Sequence, residues 1–335
     1  MRSALGGRLM TGNQTIWETF QSFQERGSFR LLANTPNTVV IRVENETGEG
    51  DMIVYRVFDG IYLMFNDYHM AYYDSTFQAA HTVFAVDYCR EGHLVMECEN
   101  GLCQVKKAGS VCIDSRVHHK GVARFPTSHY HGITIGFESN LAGKTLDDTM
   151  SSIPVDLTAI REKYCSADGF YIMNDQDTLN RIFMDLYHAP EKAKISWFRA
   201  KIMELLICLQ VMEPQSLNGE RPYFYKDQVE KVHAAAKLLT EDLREDHTIE
   251  ELARTFNISL TAFKNCFKSV YGKPVFTWLT AQRMQKACEL LLEQPNMPVS
   301  DIAYEIGYEN VGKFCGVFKR TYGMSPREYR NNRGG

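Results

Sequence analysis

Thr248-Ile-Glu-Glu-Leu-Ala-Arg-Thr-Phe-Asn-Ile-Ser-Leu-Thr-Ala-Phe-Lys-Asn-Cys-Phe-Lys-Ser-Val-Tyr-Gly272 recurs further along the chain as Pro298-Val-Ser-Asp-Ile-Ala-Tyr-Glu-Ile-Gly-Tyr-Glu-Asn-Val-Gly-Lys-Phe-Cys-Gly-Val-Phe-Lys-Arg-Thr-Tyr-Gly323. Leu252-Ala253 aligns with Ile302-Ala303, Phe267-Lys268 with Phe318-Lys319, and Tyr271-Gly272 with Tyr322-Gly323. The offset is 50 residues before the central turn and 51 after it. A repeat of two short helices around a tight turn is the pattern of a helix-turn-helix pair.

Each copy carries its own helix signals. Thr248 with Glu251 three residues on forms a capping box. Ser259 suits the N-cap of the second helix. There Leu260, Phe263, Phe267 and Val270 share one face, while Thr261, Lys264, Asn265 and Lys268 share the opposite one. A helix anchored by aromatics that presents a polar, basic stripe fits a major groove. Lys can read guanine, Asn adenine, and Thr a thymine methyl or a phosphate. In the second copy Gly307 suits a turn with positive φ, and Val311, Phe314 and Phe318 are the expected buried face. Phe276 to Glu293 reads as a long helix between the copies, about 27 Å at 1.5 Å per residue. That length can set two units into successive major grooves about 34 Å apart.

Ala303-Tyr-Glu-Ile-Gly-Tyr308, Phe318-Lys-Arg-Thr-Tyr-Gly-Met-Ser-Pro-Arg-Glu-Tyr-Arg330 and the matching first copy resemble the DNA-binding domain of AraC/XylS-type bacterial transcription regulators. The resemblance covers residues 227–331. It implies two helix-turn-helix units joined by a long helix, with the second helix of each unit on DNA. Carried over position by position, the base readers of the first unit are Thr261, Lys264 and Asn265, and those of the second are Gly312, Cys315 and Gly316. The second set departs from a capable reader, since two of its members have no side chain. The second unit is therefore expected to grip phosphates through Lys313, Lys319 and Arg320, which position a protein without specifying sequence. The expected DNA-binding set is Ser259, Thr261, Lys264, Asn265, Lys268, Gly312, Lys313, Gly316, Lys319 and Arg320, weighed against a plain solvated basic face.

Charge is distributed to match. The 335-residue chain has a net charge of −4, yet from Ser259 onward 11 Lys/Arg stand against 6 Asp/Glu. A basic end on an acidic chain points to a nucleic-acid face carried by one domain. The 44% hydrophobic and 23% charged fractions are those of a globular protein. Nine cysteines, an odd number with no CxxC pair, fit a reducing compartment. Met1 to Gln14 has no apolar segment, and the greasy stretch Ile195 to Met212 is broken by Arg199, Lys201 and Glu204. The expected location is cytoplasmic, with no membrane partner.

The rest of the chain reads as a different fold class. Short β-rich runs with turn signals at Asp59-Gly60, Glu91-Gly92 and Asn100-Gly101 predict hairpins. Further strands are expected at Val111–Asp114 and His131–Glu138. Helical periodicity follows at Pro154–Tyr164, Asp177–His188 and Ala193–Met212. The expected architecture is α+β: an N-terminal antiparallel β barrel or sandwich with helices (1–150 and 151–213), a linker (214–226), and an all-α domain (227–335). Tyr55-Arg-Val-Phe-Asp-Gly60 and Tyr88-Cys-Arg-Glu-Gly92 resemble the cupin-like effector domains of the same family, including its siderophore-responsive members. Tyr55, Phe58, Tyr62 and Phe65 are candidate effector contacts, against the reading of strand aromatics as core. The helices at 177–212 are either packing elements or a dimerisation surface.

Two other constellations compete. His129-Tyr-His131 places two imidazoles on one strand face, where they could share a metal, as in a cupin-type enzyme. The carboxylate spacing is not the usual one, so ordinary histidines are expected, and His118-His119 cannot chelate side by side on a strand. Cys98, Cys103 and Cys112 lack metal-like spacing. The expected protein is therefore no enzyme and needs no cofactor or metal. Its expected partners are double-stranded DNA, a small-molecule effector, RNA polymerase and a second copy of itself. The remaining alternative keeps the DNA-binding domain and makes the N-terminal part a pure interaction module.

Overall fold

The computed structural model describes residues 15–21, 28–75, 83–98, 101–116, 121–149, 155–165, 170–174, 176–214 and 223–333. The expected turn residue Asn100, the pair His118-His119 and linker residues 215–222 lie outside that set. The chain divides into two compact units, Met1–Tyr225 and Lys226–Gly335.

The first unit opens with α1 (Ile16–Gln21), β1 (Phe29–Asn34), β2 (Thr38–Asn45), β3 (Gly48–Phe58), β4 (Ile61–His69) and β5 (Tyr72–Ser75). Then come β6 (Val83–Cys98), β7 (Leu102–Lys107), β8 (Val111–Asp114), β9 (Gly121–Arg124) and β10 (Tyr130–Glu138). After these follow α2 (Ser139–Thr149), α3 (Leu157–Cys165), β11 (Phe170–Met173), α4 (Asp177–Tyr187), α5 (Lys194–Val211) and β12 (Tyr223–Tyr225). All described strand pairings are antiparallel. One sheet runs β1-β2-β3-β4-β10-β6-β8-β11 and the other β12-β7-β6-β9-β5, so β6 belongs to both.

The turn at Asp59-Gly60 joins β3 to β4, with Gly60 at φ 81. The hairpin expected at Glu91-Gly92 does not form. β6 runs straight through it, and its two halves pair with different sheets. A bulge shifts the register between His131/Gly132, where Glu91 and Cys89 face consecutive residues of β10, and Gly92 takes φ 80. An extra residue and a left-handed glycine bend a strand without reversing it. The sequence cue for a turn and the cue for a bulge were here the same two residues.

Alternation along these strands makes two interiors. On one face Leu63, Val86, Ile133 and Ile135 pack with Leu179, Ile182 and Phe183 of α4 and Phe198, Ile202 and Leu206 of α5. The greasy stretch at 195–212 is thus a core helix, and no described helix is long and apolar enough to cross a membrane. The opposite face lies between the two sheets and is partly polar. Lys106 of β7 donates to Asp87 of β6 (2.5 Å), Arg116 Nη2 donates to the other Asp87 oxygen (2.6 Å), and Thr134 also donates to it (2.7 Å). Burial alone would push the Asp87 carboxyl up. The Arg116 guanidinium and Lys106 ammonium outweigh it and hold the group well below the usual carboxylate range.

The second unit is helical among its described residues: α6 (Lys226–Glu241), α7 (Ile249–Thr255), α8 (Leu260–Tyr271), α9 (Val275–Glu293), α10 (Val299–Glu305), α11 (Val311–Tyr322) and α12 (Pro326–Arg333). The molecule is therefore α+β, an antiparallel β domain with helices followed by an all-α domain with two helix-turn-helix units. Within the stretch read as a linker, Tyr223–Tyr225 form β12, which pairs with β7, and Lys226 opens α6.

Candidate nucleic-acid interface

The two helix pairs are built by the same local devices. Thr248 and Glu251 form the expected capping box on α7. The turn residue of the first pair is Asn257 at φ 48, and that of the second is Gly307 at φ 79. In both turns the next residue's N–H reaches back to an alanine carbonyl, Ile258 to Ala253 (3.0 Å) and Tyr308 to Ala303 (2.9 Å). Ser259 then caps α8 by accepting from Ala262 N (3.3 Å), and Asn310 caps α11 by accepting from Lys313 N (2.9 Å). Both second helices end on a left-handed glycine, Gly272 at φ 74 and Gly323 at φ 76.

The buried stripes also repeat. Phe263, Phe267 and Tyr271 run along α8 with ring spacings of 5.9 and 4.7 Å, and Trp278 of α9 meets Phe267 at 5.4 Å. Phe314, Phe318 and Tyr322 run along α11 at 5.7 and 4.8 Å, and Tyr329 of α12 meets Phe318 at 5.5 Å. Trp278 and Tyr329 are themselves 51 residues apart, so the repeat extends into a third helix, beyond the two-helix unit that the sequence suggests. Val311, expected in the buried face, is 38% exposed. It is the first residue of α11, and the stripe starts one turn later at Phe314.

Thr261, Lys264, Asn265 and Lys268 are all exposed on α8, as are Gly312, Lys313, Gly316, Lys319 and Arg320 on α11; Ser259 is exposed at its cap. Ion pairing divides the basic residues of the unit into two groups. Lys231, Arg244, Arg283 and Lys286 each have a carboxylate at 2.7–3.5 Å. Lys264, Lys268, Lys313, Lys319 and Arg320 have none within 4.0 Å among the described residues, and neither do Arg254, Lys273, Arg327 and Arg330. Such groups stay available to phosphates without first breaking a pair.

Arg283 of α9 is a positioning residue that sequence reasoning missed. Its Nη2 donates to the Leu243 carbonyl (2.7 Å), and its guanidinium lies over the Tyr308 ring at 5.9 Å. A Cβ on Gly307 would meet that carbonyl oxygen at 2.2 Å. The second turn is thus fitted against the α6–α7 connection through the long helix. The outward face of α11 is bare at two positions: a Cβ on Gly316 meets nothing within 4 Å, and one on Gly312 meets only Asn310 Oδ1, at 3.2 Å.

The four effector candidates of the N-terminal unit do not converge. Tyr55 and Phe65 pack edge-on at 6.0 Å, and both touch Phe198 of α5. Tyr62 points to the opposite face, stacks on Trp17 at 5.9 Å and donates to Glu138 (2.5 Å). Phe58 alone borders a groove of about 590 Å³, with Thr149, Arg199, Ala200, Met203, Glu204, Ile207 and Cys208. Of the strand cysteines, Cys103 and Cys112 are buried, and burial pushes the Cys112 thiol well above its ordinary range. His129 and His131 are joined by His69, Asp67 and Glu91 in one cluster.

A family model described as a helix-turn-helix domain matches residues 252–332. An HTH-type transcriptional regulator of Haemophilus influenzae is 32% identical over 113 residues, which are 34% of this chain and 38% of that protein. The virulence regulon transcriptional activator VirF of Yersinia enterocolitica is 32% identical over 94 residues, 28% of this chain and 34% of that one. The chain spans little more than a third of the length of these relatives. Among solved structures, the C-terminal domain of AraT, a response regulator from Geobacillus stearothermophilus, is 33% identical. It covers 31% of this chain and 85% of its own, with a TM-score of 0.29.

Proposed function

On the premise that the C-terminal domain of this chain belongs to the AraC/XylS family of transcription regulators, we propose that the protein binds double-stranded DNA in a sequence-specific manner and controls transcription. The observation that carries this reading is the duplicated helix pair whose second helices hold their basic side chains exposed, with no carboxylate within 4.0 Å among the described residues. In this reading α8 lies in a major groove, with Thr261, Lys264 and Asn265 on base edges and Ser259 and Lys268 on the backbone. α11 sits in the next groove along, held by Lys313, Lys319 and Arg320, while Gly312 and Gly316 let its surface approach closely. At 19 residues α9 is about 28 Å long, a strut of suitable length for that spacing.

The N-terminal unit then acts as the regulatory part, bound by a small-molecule effector. Phe58 and the groove beside it are the better candidate contact, because Tyr55, Phe65 and Tyr62 are engaged in packing. Self-association uses the end of α5, where Val211 is 70% exposed, a reading supported by the burial of Leu205, Leu206 and Leu209 just before it. RNA polymerase is the further partner that a transcription activator would contact. Selection from random duplexes with the full chain tests the central part. Enrichment of one motif, with an affinity that falls steeply with salt, is the expected result; recovery of no motif would remove the reading.

A further inference from the structure

We propose that the N-terminal unit carries a binding site for one divalent transition-metal ion, built by Asp67, His69 and His131 and flanked by His129 and Glu91. This site is independent of the DNA-binding reading.

Two tripeptides make it. Asp67-Tyr68-His69 ends β4, and His129-Tyr130-His131 leads into β10. The strands are antiparallel, with His131 directly opposite Asp67 and Tyr130 opposite Tyr68. The same register carries His129 to His69. Side chains alternate along a strand, so the tyrosines turn inward and stack at 6.2 Å, while the four flanking residues turn outward together. On its other side β10 pairs with β6, where Glu91 is the direct partner of His131. The β6 bulge places it there. Three strands thereby deliver a cross-sheet row, Asp67–His131–Glu91, with His69 and His129 beside it.

The distances fit chelation. The His69 Nε2 is 3.0 Å from Asp67 Oδ1, and His131 Nε2 contacts that same oxygen. The three ligand atoms of Asp67, His69 and His131 all lie within 4.8 Å of one another, as do those of Glu91, His129 and His131. Ligand atoms about 2.0–2.1 Å from a tetrahedral ion stand about 3.3 Å apart, so small rotations complete the site. The three imidazole rings are centred 5.0–6.0 Å from each other. His131 belongs to both triads and offers one nitrogen, which makes them two sides of a single site. Imidazole and carboxylate ligands without thiolate suit zinc, nickel or cobalt. The cluster is on the sheet face opposite Asp87 and Thr134, so it is separate from the charged network between the sheets.

The test uses the full-length protein with nickel and cobalt salts, a chromophoric chelator as competitor, and metal analysis after gel filtration. One equivalent is expected to be retained, with a cobalt spectrum that lacks thiolate-to-metal charge transfer. His131→Ala is expected to abolish retention, and His69→Gln and Asp67→Asn to weaken binding by more than about tenfold. The last two side chains are more than half exposed, so these variants keep the fold if His131→Ala does not. His188→Ala, on an exposed helix end, should bind as the parent does. Failure to retain either ion, retention unaffected by the His69 and Asp67 variants, or a thiolate signature would each overturn the proposal.

Discussion

The two helix-turn-helix units were built to one plan and finished differently. Their caps, left-handed turn residues, terminal glycines and aromatic ladders coincide position by position. Their outward faces do not: Thr261, Lys264 and Asn265 in the first correspond to Gly312, Cys315 and Gly316 in the second. Burial constrains the inner stripe of both copies alike, because each must close against a third helix. Nothing in the scaffold constrains the outer stripe, so that stripe is where two copies of one fold can take two tasks.

Removing the shared ladder should have the largest effect. Phe267→Ala and Phe318→Ala each empty a fully buried ring position and should cost about 3–5 kcal/mol in chemical denaturation. Near-equal losses would support equivalent scaffolds, and a large loss in only one would break the equivalence. The turns come next. Gly307→Ala forces a Cβ into φ 79 and onto the Leu243 carbonyl oxygen, for a loss of about 1–3 kcal/mol. Asn257→Gly in the first turn, where φ 48 is already tolerated, should move stability far less. Among the DNA contacts proposed for the second unit, Lys319→Ala should weaken all duplexes alike and lower the slope of log K against log salt by about 0.9. A loss confined to one sequence would give the second unit a reading role. The smallest effect is a gain: Gly316→Ala should stabilise the domain by up to about 1 kcal/mol, since its Cβ meets nothing and helix propensity improves.

Repetition made the C-terminal domain legible. A spacing that holds across Ala253 and Ala303, Phe267 and Phe318, and Gly272 and Gly323 states the same structure twice, and local caps mark its ends. The repeat ran further than the reading took it, since Trp278 and Tyr329 lie in helices of very different length. Strand existence in the N-terminal unit was equally visible at Val111–Asp114 and around Asp59-Gly60. Pairing was not, because register depends on partners far away in the chain. That is why Gly92 read as a turn when it marks a bulge, and why Tyr62 was grouped with Tyr55 and Phe65, which alternate to the other side of the sheet. The histidine cluster was only partly legible for the same reason. His129 and His131 were seen together, but Asp67, His69 and Glu91 join them only through cross-strand pairing.

The division of labour between the units is tested most directly by the ratio of specific to random-duplex affinity at one salt concentration. The parent chain is compared with Lys264→Ala/Asn265→Ala and with Lys319→Ala/Arg320→Ala on the same selected site. The first pair should lose about 1–3 kcal/mol per reader on the specific site and little on random DNA, so the ratio falls. The second pair should weaken both and leave the ratio nearly unchanged. A ratio that survives the first pair, or collapses with the second, would contradict the assignment of sequence choice to α8 and grip to α11.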